Sequence, residues 1–251
     1  MDSKERFTNR VDSYVKYRPG YPVEALDYLY AKVGFRRDSV IADIGAGTGI
    51  FSALLLERGS SVIAVEPNGA MREAAVRVLA EEPRFRTVAA TAEHTGLPER
   101  SVDFIVCAQS FHWFDRPAAQ AEFARILKPG GKAVLIWNSR LTSGTPFLEQ
   151  YEQLLREYGT DYERVQHKNI DESALVPFFA PGSFQVKRFP YRQLFDFEGL
   201  CGRLQSSSYA PPPGHDRYEP MIKALKDVFD RTKREGLVSF DYETEIFWGE
   251  M

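Results

Sequence analysis

Three glycines at alternate positions, Gly45, Gly47 and Gly49, follow a short apolar run in the segment VIADIGAGTGIF, residues 40–51. Because glycine has no Cβ, such a loop lets a ligand approach the main chain closely. Glycine loops between a strand and a helix often hold nucleotides, whose phosphates rest on the N-terminus of the helix. The segment therefore predicts a ligand-binding loop, and its neighbours indicate which ligand.

The residues around the loop indicate a ligand with a ribose but without a diphosphate. Ile50 stands where the fingerprint G-x-G-x-x-G requires its third glycine, and the G-K-[ST] of a phosphate-binding P-loop is missing. Asp43, two residues before Gly45, would repel a pyrophosphate and would suit an ammonium group. Glu66 ends the next apolar run, where doubly wound folds place a carboxylate on a ribose diol. A ligand with a ribose, an amine and no diphosphate is expected, and S-adenosylmethionine fits this description.

The elements that must position these residues alternate between strand and helix from residue 40 to 138. Apolar runs predict strands over 39–44, 60–67, 85–91, 101–110 and 132–137, and the intervening patterns predict helices over 49–59, 68–82 and 115–128. Continuous apolar strands are typical of a parallel sheet that is covered on both faces. The Pro-Gly-Gly at 129–131 predicts a turn that ends the last of these helices.

The pattern changes after residue 140. Helices are predicted over 145–158, 197–206 and 216–235, and two strands, 183–193 and 237–249, alternate apolar and polar residues as antiparallel strands do. We expect the last strand to close the sheet edge. The fold class is therefore α/β, with a doubly wound, mostly parallel, seven-stranded Rossmann-like sheet, an antiparallel closing strand and a helical cap.

This pattern also predicts the domain organisation. Residues 1–38 are expected to form an N-terminal helical lid, 39–138 the S-adenosylmethionine-binding core, and 139–251 the cap insertions with the last two strands of the same domain.

Composition narrows the class of partner. The 251 residues include 32 basic and 35 acidic side chains, and the net charge of -3 gives no general attraction to nucleic acid or to an anionic membrane. Cys107 and Cys201 lack metal-ligand spacing, so no zinc site is indicated. We expect a cytoplasmic protein with a small-molecule substrate; the sequence does not indicate the oligomeric state.

Four blocks, DIGAGTG, AVEPNGAM, TAEHTGLPERSVDFIV and ILKPGGKAVLI, follow one another as in the class I S-adenosylmethionine-dependent methyltransferases, which the chain resembles over residues 40–138. The segments YRPGYP, SFHWF and LQSSSYAP look like the small-molecule branch that includes the trans-aconitate methyltransferases.

The resemblance implies roles for the matching residues. It implies that Gly45, Gly47, Gly49 and Gln109 contact the methionine half of the cofactor and that Asp43 supports its amine. It places Glu66 on both ribose hydroxyls, and Pro67, Asn68, Met71, Ala92 and Glu93 near the ribose and adenine. Many relatives carry an aspartate before that alanine. Here the residue is Thr91, so the contact to the adenine amino group is left to Glu93 or to the main chain.

His112 and Trp113 follow the fourth predicted strand, at the edge where open α/β sheets bind ligands. His112 is the candidate catalytic residue, because the ordinary pKa of histidine lies near neutrality. A positioning role is the alternative that we favour, since a carboxylate acceptor is itself the nucleophile and needs no base. Trp113 is expected to line the acceptor site or to pack on the cofactor, whose sulfonium an aromatic face tolerates well.

Four further residues are candidates for the acceptor side. Tyr14, Tyr17 and Arg18 precede PGYP in the predicted lid, and Arg140 follows the fifth strand. Arg18 is expected to reach the cofactor carboxylate or an acidic acceptor, because a guanidinium holds a carboxylate through two parallel bonds. These residues together suggest O-methylation of a small carboxylic acid.

Two other functions remain open on the sequence. A nicotinamide-dependent oxidoreductase is disfavoured by Asp43 and Ile50. A non-catalytic S-adenosylmethionine-binding regulator would need the same loop, so only methyl transfer to an acceptor separates it from an enzyme.

Overall fold

The computed structural model describes residues 17–160, 162 and 172–251. In chain order its elements are α1 (Val23–Tyr28, continued by a π-helical turn, Leu29–Val33), β1 (Val40–Ile44), α2 (Ile50–Glu57), β2 (Ser61–Val65), α3 (Gly69–Val78), β3 (Phe85–Val88), β4 (Val102–Ala108), a 3-10 turn (Phe111–Trp113), α4 (Arg116–Ile126), β5 (Leu127–Arg140), α5 (Pro146–Tyr158), α6 (Glu172–Leu175, followed by a 3-10 turn, Val176–Phe178), β6 (Gln185–Phe195), α7 (Phe197–Gln205), α8 (Tyr218–Thr232) and β7 (Val238–Glu250).

The strands form one seven-stranded sheet in the order β3-β2-β1-β4-β5-β7-β6. Strands β1 to β5 are parallel, and β7 is antiparallel to both of its neighbours. The predicted fold class is thereby confirmed. The order reverses at β1 and β4, and such a switch point is where open α/β sheets bind ligands.

Apolar side chains cover both faces of the sheet, as its continuous apolar strands require. Along β5, Val134 and Ile136 join one cluster, with α1 and α2, whereas Leu135 and Trp137 join another, with α4 and the turn after α6. A third cluster joins α5, α7 and α8 to β6 and β7, and Tyr151 packs edge-on to Phe240 at its centre. This third cluster corresponds to the predicted helical cap.

The antiparallel strands that close the sheet are β7 and β6, and β6, not the last strand of the chain, lies at the edge. Strand β7 lies between β5 and β6, and alternate residues along it are buried. Strand β6 forms the edge and is largely exposed. Pro190 cannot donate a ladder hydrogen bond, and Lys187, Arg188 and Arg192 are charges of the kind that protect an exposed edge.

The Pro-Gly-Gly segment is not a turn outside the sheet, because β5 already begins at Leu127. Residues 128–131 bulge opposite Asp103. The ladder pairs Val102 with Leu127 before the bulge and Phe104 with Lys132 after it. The carboxylate of Asp103 accepts hydrogen bonds from Val40 N and Lys128 Nζ, both at 2.8 Å. Asp103 therefore acts as a structural residue that joins three segments.

No helix in the described ranges combines the length and the apolar character needed to cross a membrane.

Substitution of Gly131 by alanine tests the bulge. A Cβ there would lie 2.8 Å from the carbonyl oxygen of Lys128 and 3.0 Å from that of Asp103. Main-chain atoms relax poorly, so we expect Gly131→Ala to lower the free energy of unfolding by about 1–3 kcal/mol, measured by urea denaturation. Gly69→Ala is the control, because its Cβ would meet only the end of Arg72, at 3.9 Å, and a helical alanine is favoured over glycine. Equal stability of both variants would contradict the bulge geometry.

Candidate active site

A pocket at the carboxyl ends of β1, β2, β4 and β5 brings most of the predicted site residues together. Its walls include Arg18, Asp43, Gly45, Gly47, Glu66, Pro67, Asn68, Met71, Ala92, Glu93, Gln109, His112, Trp113 and Arg140. Two predicted residues of the described ranges, Gly49 and Tyr17, are not part of these walls. The predicted residue Tyr14 lies outside the described residues.

The glycine loop connects β1 to α2 with left-handed main-chain angles at Gly45, Gly47 and Gly49. A Cβ at Gly45 would lie 2.5 Å from the Cβ of Ser110, so only glycine fits between the loop and the end of β4. Gly49 caps α2, and a Cβ there would face Leu79 and Ala75 at 3.1 and 3.2 Å. Gly49 thus packs closely against α3, and its contact with the methionine half stays a prediction.

Asp43 lies at the end of the central strand and is fully buried. Its Oδ2 accepts a hydrogen bond from Ser52 Oγ at 2.7 Å, whereas its Oδ1 has no hydrogen-bond partner among the described residues. Burial, assisted by the charge of Glu66, raises the pKa of Asp43 to about 7. A carboxylate oxygen that is buried and lacks a donor matches a cationic or donor group of a ligand.

Glu66 is held by two main-chain amides. Its Oε1 accepts from Asn68 N at 2.8 Å and its Oε2 from Gly47 N at 2.9 Å, while burial raises its pKa. Each carboxylate oxygen keeps a further lone pair, which suits the two hydroxyls of a ribose. Asn68 caps α3 by accepting a hydrogen bond from Met71 N at 3.0 Å, so a local side chain fixes where this helix begins.

The turn after β4 has a strained main chain. Gln109 has a φ of 63°, although it is not glycine, and its N–H donates to Ile136 O at 2.8 Å. Ser110 Oγ donates to Ile44 O at 2.6 Å. These bonds connect the turn to β5 and β1 and hold a conformation of the kind that occurs at functional sites.

The 3-10 turn that follows presents His112 and Trp113, whose ring centroids are 4.7 Å apart. The indole N–H of Trp137 donates to Nδ1 of His112 at 3.5 Å, a long hydrogen bond. With Nδ1 as the acceptor, the neutral imidazole carries its proton on Nε2. His112 is then a donor at Nε2.

At the adenine end, Ala92 is buried, and Glu93 Oε1 accepts a hydrogen bond from Asp115 N at 3.0 Å. Position 91 contributes Thr91 to the pocket wall. The carboxylate of Glu93 is thus held at the start of α4, beside the pocket.

Three arginines also line the pocket. Arg18 Nη2 donates to Ser206 O at 2.9 Å. Arg140 Nη2 donates to Glu152 Oε2 at 2.5 Å and to Tyr162 Oη at 2.8 Å, so its charge has a buried carboxylate partner. Tyr17 packs against α7, since a Cβ at Gly202 would lie 2.2 Å from its ring, and its place in the acceptor site stays a prediction.

Sequence reasoning missed Arg203, Ser208 and Tyr209, which also line the pocket. A signal was present for Arg203, because Leu200 and Leu204 are apolar at helical spacing and place position 203 on the same face. The structure buries this arginine to 6% exposure.

Comparisons with known proteins agree with this geometry. Residues 42–135 match the family described as a methyltransferase domain. An uncharacterized methyltransferase of Mycobacterium tuberculosis is 39% identical over 139 residues, 55% of this chain and 54% of that protein, so the chain spans about half the length of that relative.

Two further proteins are similar over nearly the whole chain. An uncharacterized methyltransferase of Schizosaccharomyces pombe is 32% identical over 250 residues, 97% of this chain and 96% of that protein. The fold is shared with the solved structure of a type II methyltransferase from Anaeromyxobacter dehalogenans, at a TM-score of 0.70 and 23% identity, covering 93% of this chain and 98% of that one. With its switch-point pocket and its glycine loop, the chain belongs to the class I S-adenosylmethionine-dependent methyltransferases.

Proposed function

We propose that this protein transfers the methyl group of S-adenosylmethionine to a small molecule, and that the acceptor atom is a carboxylate oxygen. The observation that carries the cofactor assignment is the buried Oδ1 of Asp43, which lacks a partner among the described residues. A cofactor ammonium would supply the missing donor and offset the cost of burying the carboxylate.

The other pocket residues fit the same cofactor. Glu66 keeps free lone pairs for the ribose diol, and the loop at Gly45 and Gly47 admits close approach to the main chain. Arg18 is the candidate for the cofactor carboxylate, because it lines the same pocket as Asp43 and a guanidinium can hold a carboxylate. The bound cofactor supplies a methyl carbon activated by a positively charged sulfur.

A carboxylate acceptor is supported by the charges and by His112. Arg18, Arg140 and Arg203 all line the pocket. Arg140 donates to the carboxylate of Glu152, whereas the hydrogen bonds of Arg203 go to hydroxyl groups. A carboxylate is already a nucleophile and needs no proton removed. His112 with its proton on Nε2 is a donor that can orient an anionic acceptor, which supports positioning over base catalysis.

The rival functions have specific weaknesses. A dinucleotide would place a pyrophosphate near the buried Asp43, and Ile50 instead of glycine begins α2. A regulator without turnover would share the cofactor site, and detection of methyl transfer distinguishes it from an enzyme. A screen of small acids, phenols and amines with labelled cofactor provides that observation.

Calorimetry tests the cofactor assignment. We expect the protein to bind S-adenosylmethionine and its demethylated product, but not NAD. Glu66→Ala should weaken binding by about 1.5–3 kcal/mol for each charge-assisted hydrogen bond lost to the ribose, and less where water substitutes. Glu73→Ala, at an exposed position of α3, is the control and should bind as the wild type does. Comparable affinity for NAD, or unchanged affinity in a folded Glu66→Ala variant, would sink the assignment.

The raised pKa of Asp43 predicts a pH dependence of cofactor affinity. In the protein alone the pKa is about 7, so the carboxyl is mainly protonated at pH 6 and must lose its proton to pair with an ammonium. Affinity should therefore rise by roughly tenfold between pH 6 and pH 7.5, because one unit below its pKa only about a tenth of the group is ionised. Calorimetry in buffers of different ionisation enthalpy should detect the released proton.

Asp43→Asn is the matched control for that measurement, because the amide keeps the size of the side chain and does not titrate. Its affinity should be weak and should not change across the same range. A wild-type affinity that is flat from pH 6 to pH 7.5 contradicts the role of Asp43.

Two substitutions separate positioning from base catalysis. His112→Ala should keep substantial turnover, whereas Arg18→Ala should raise the Michaelis constant for the cofactor or the acceptor. Lysine at position 18 should restore only part of the effect, because it lacks the planar fork. The contrary outcome is loss of turnover in His112→Ala with cofactor binding intact and one limb of the pH–rate curve missing. That result favours a phenol or amine acceptor that needs a base.

A further inference from the structure

We propose that Arg203 anchors a second, non-reacting carboxylate of the methyl acceptor, so that the acceptor is a small dicarboxylate. This inference rests on the proposed carboxylate methylation and adds to it the residue that selects the acceptor.

The surroundings of Arg203 carry the inference. The side chain lies in the last turn of α7, lines the pocket and is 6% exposed. Its Nε donates to Tyr242 Oη at 3.2 Å, and its Nη1 donates to Ser207 Oγ at 2.9 Å and to Ser206 Oγ at 3.4 Å. All three partners are neutral hydroxyls, and no carboxylate forms an ion pair with Arg203 within the described part of the chain.

A buried guanidinium without an anion is unusual, because buried charges are normally paired. Three hydroxyl contacts, with the ring of Phe240 at 5.8 Å from Cζ, fix the orientation of Arg203, but none of these groups is an anion. Its Nη2 donates to no group of residues 17–160, 162 or 172–251, so this nitrogen is open to a carboxylate oxygen from the pocket.

Arg140 gives an internal comparison. It lines the same pocket and is buried to a similar degree, at 9% exposure, but Glu152 and Tyr162 hold its guanidinium. The same wall therefore contains one arginine that the protein neutralises itself and one that it does not. Only Arg203 would gain a missing counter-charge from an anionic ligand.

Two tyrosines beside Arg203 support the same inference. Burial raises the pKa of Tyr209, but the guanidinium groups of Arg203, Arg140 and Arg18 more than offset this effect and leave the pKa below its usual range. The hydroxyl of Tyr151 is buried with no hydrogen-bond partner among the described residues. This region has donors and positive charge in excess of acceptors.

The anchored carboxylate is not the reacting one. A guanidinium that pairs with a carboxylate withdraws the electron density that attack on the methyl carbon requires. The reacting oxygen must therefore belong to another carboxylate of the acceptor, and a dicarboxylate has both groups.

The test compares dicarboxylates with their half-amides, which keep the length and remove one charge. Succinate, glutarate and adipate, and the corresponding half-amides, are titrated by calorimetry into protein saturated with S-adenosylhomocysteine. We expect at least one dicarboxylate to bind the wild type tenfold or more tightly than its half-amide. R203Q should abolish this preference while leaving the cofactor dissociation constant unchanged, and R203K should retain part of it.

Controls exclude a general effect of charge or folding. R192Q removes an exposed guanidinium from β6 and should leave the preference intact. Thermal unfolding verifies that each variant is folded. If R203Q does not fold, R203K decides, because a merely structural arginine predicts that R203K keeps the full preference.

The preference persisting in R203Q, or no preference for any dicarboxylate in the wild type, would overturn the proposal. Turnover distinguishes it from the proposed function. If dicarboxylate binding depends on Arg203 but no methyl transfer is detected, the role of Arg203 stands and the proposed carboxylate methylation is wrong. Equal methylation of half-amides by the wild type and R203Q, with no gain from the second carboxylate, keeps methylation and overturns the anchor.

Discussion

The burial of the Asp43 carboxylate in the centre of the sheet is the constraint on which the site depends. Asp43 pairs in the ladder with Ala64 of β2 and with Val106 of β4, so its main chain cannot move toward solvent without opening the sheet. Ser52, one turn into α2, supplies its hydrogen-bond donor among the described residues. Burial of this carboxylate is unfavourable by itself, and a cation bound beside it would offset that cost.

The pocket that results is lined by charges of both signs. Asp43 and Glu66 come from the ends of β1 and β2, whereas the arginines come from the N-terminal segment, β5 and α7. The three arginines share a neighbour, because each of them lowers the pKa of Tyr209. A ligand that carries both an ammonium and a carboxylate would find partners of opposite charge in such a pocket.

The part of the site that lies on consecutive elements could be predicted from the sequence. Asp43, the glycines and Glu66 fall on β1, α2 and β2, and parallel neighbours bring their carboxyl ends to one edge regardless of distant packing. Arg203 and the pairing of Arg140 with Glu152 could not, because they depend on how α5 and α7 dock against β5 and β7. The order of β6 and β7 was also missed, although Pro190 indicated an edge strand.

Contacts between the N-terminal segment and α7 join two of the segments that supply arginines to the pocket. Tyr17 packs on Gly202, and the next residue, Arg18, donates to the carbonyl of Ser206 at the end of the same helix. Arg203 lies between these two contact points, so its position depends on the docking of the segment that carries Arg18. Any side chain at position 202 would overlap the ring of Tyr17. Gly202 therefore shapes the pocket without lining it, because it lets the segment that carries Arg18 pack against the helix that carries Arg203.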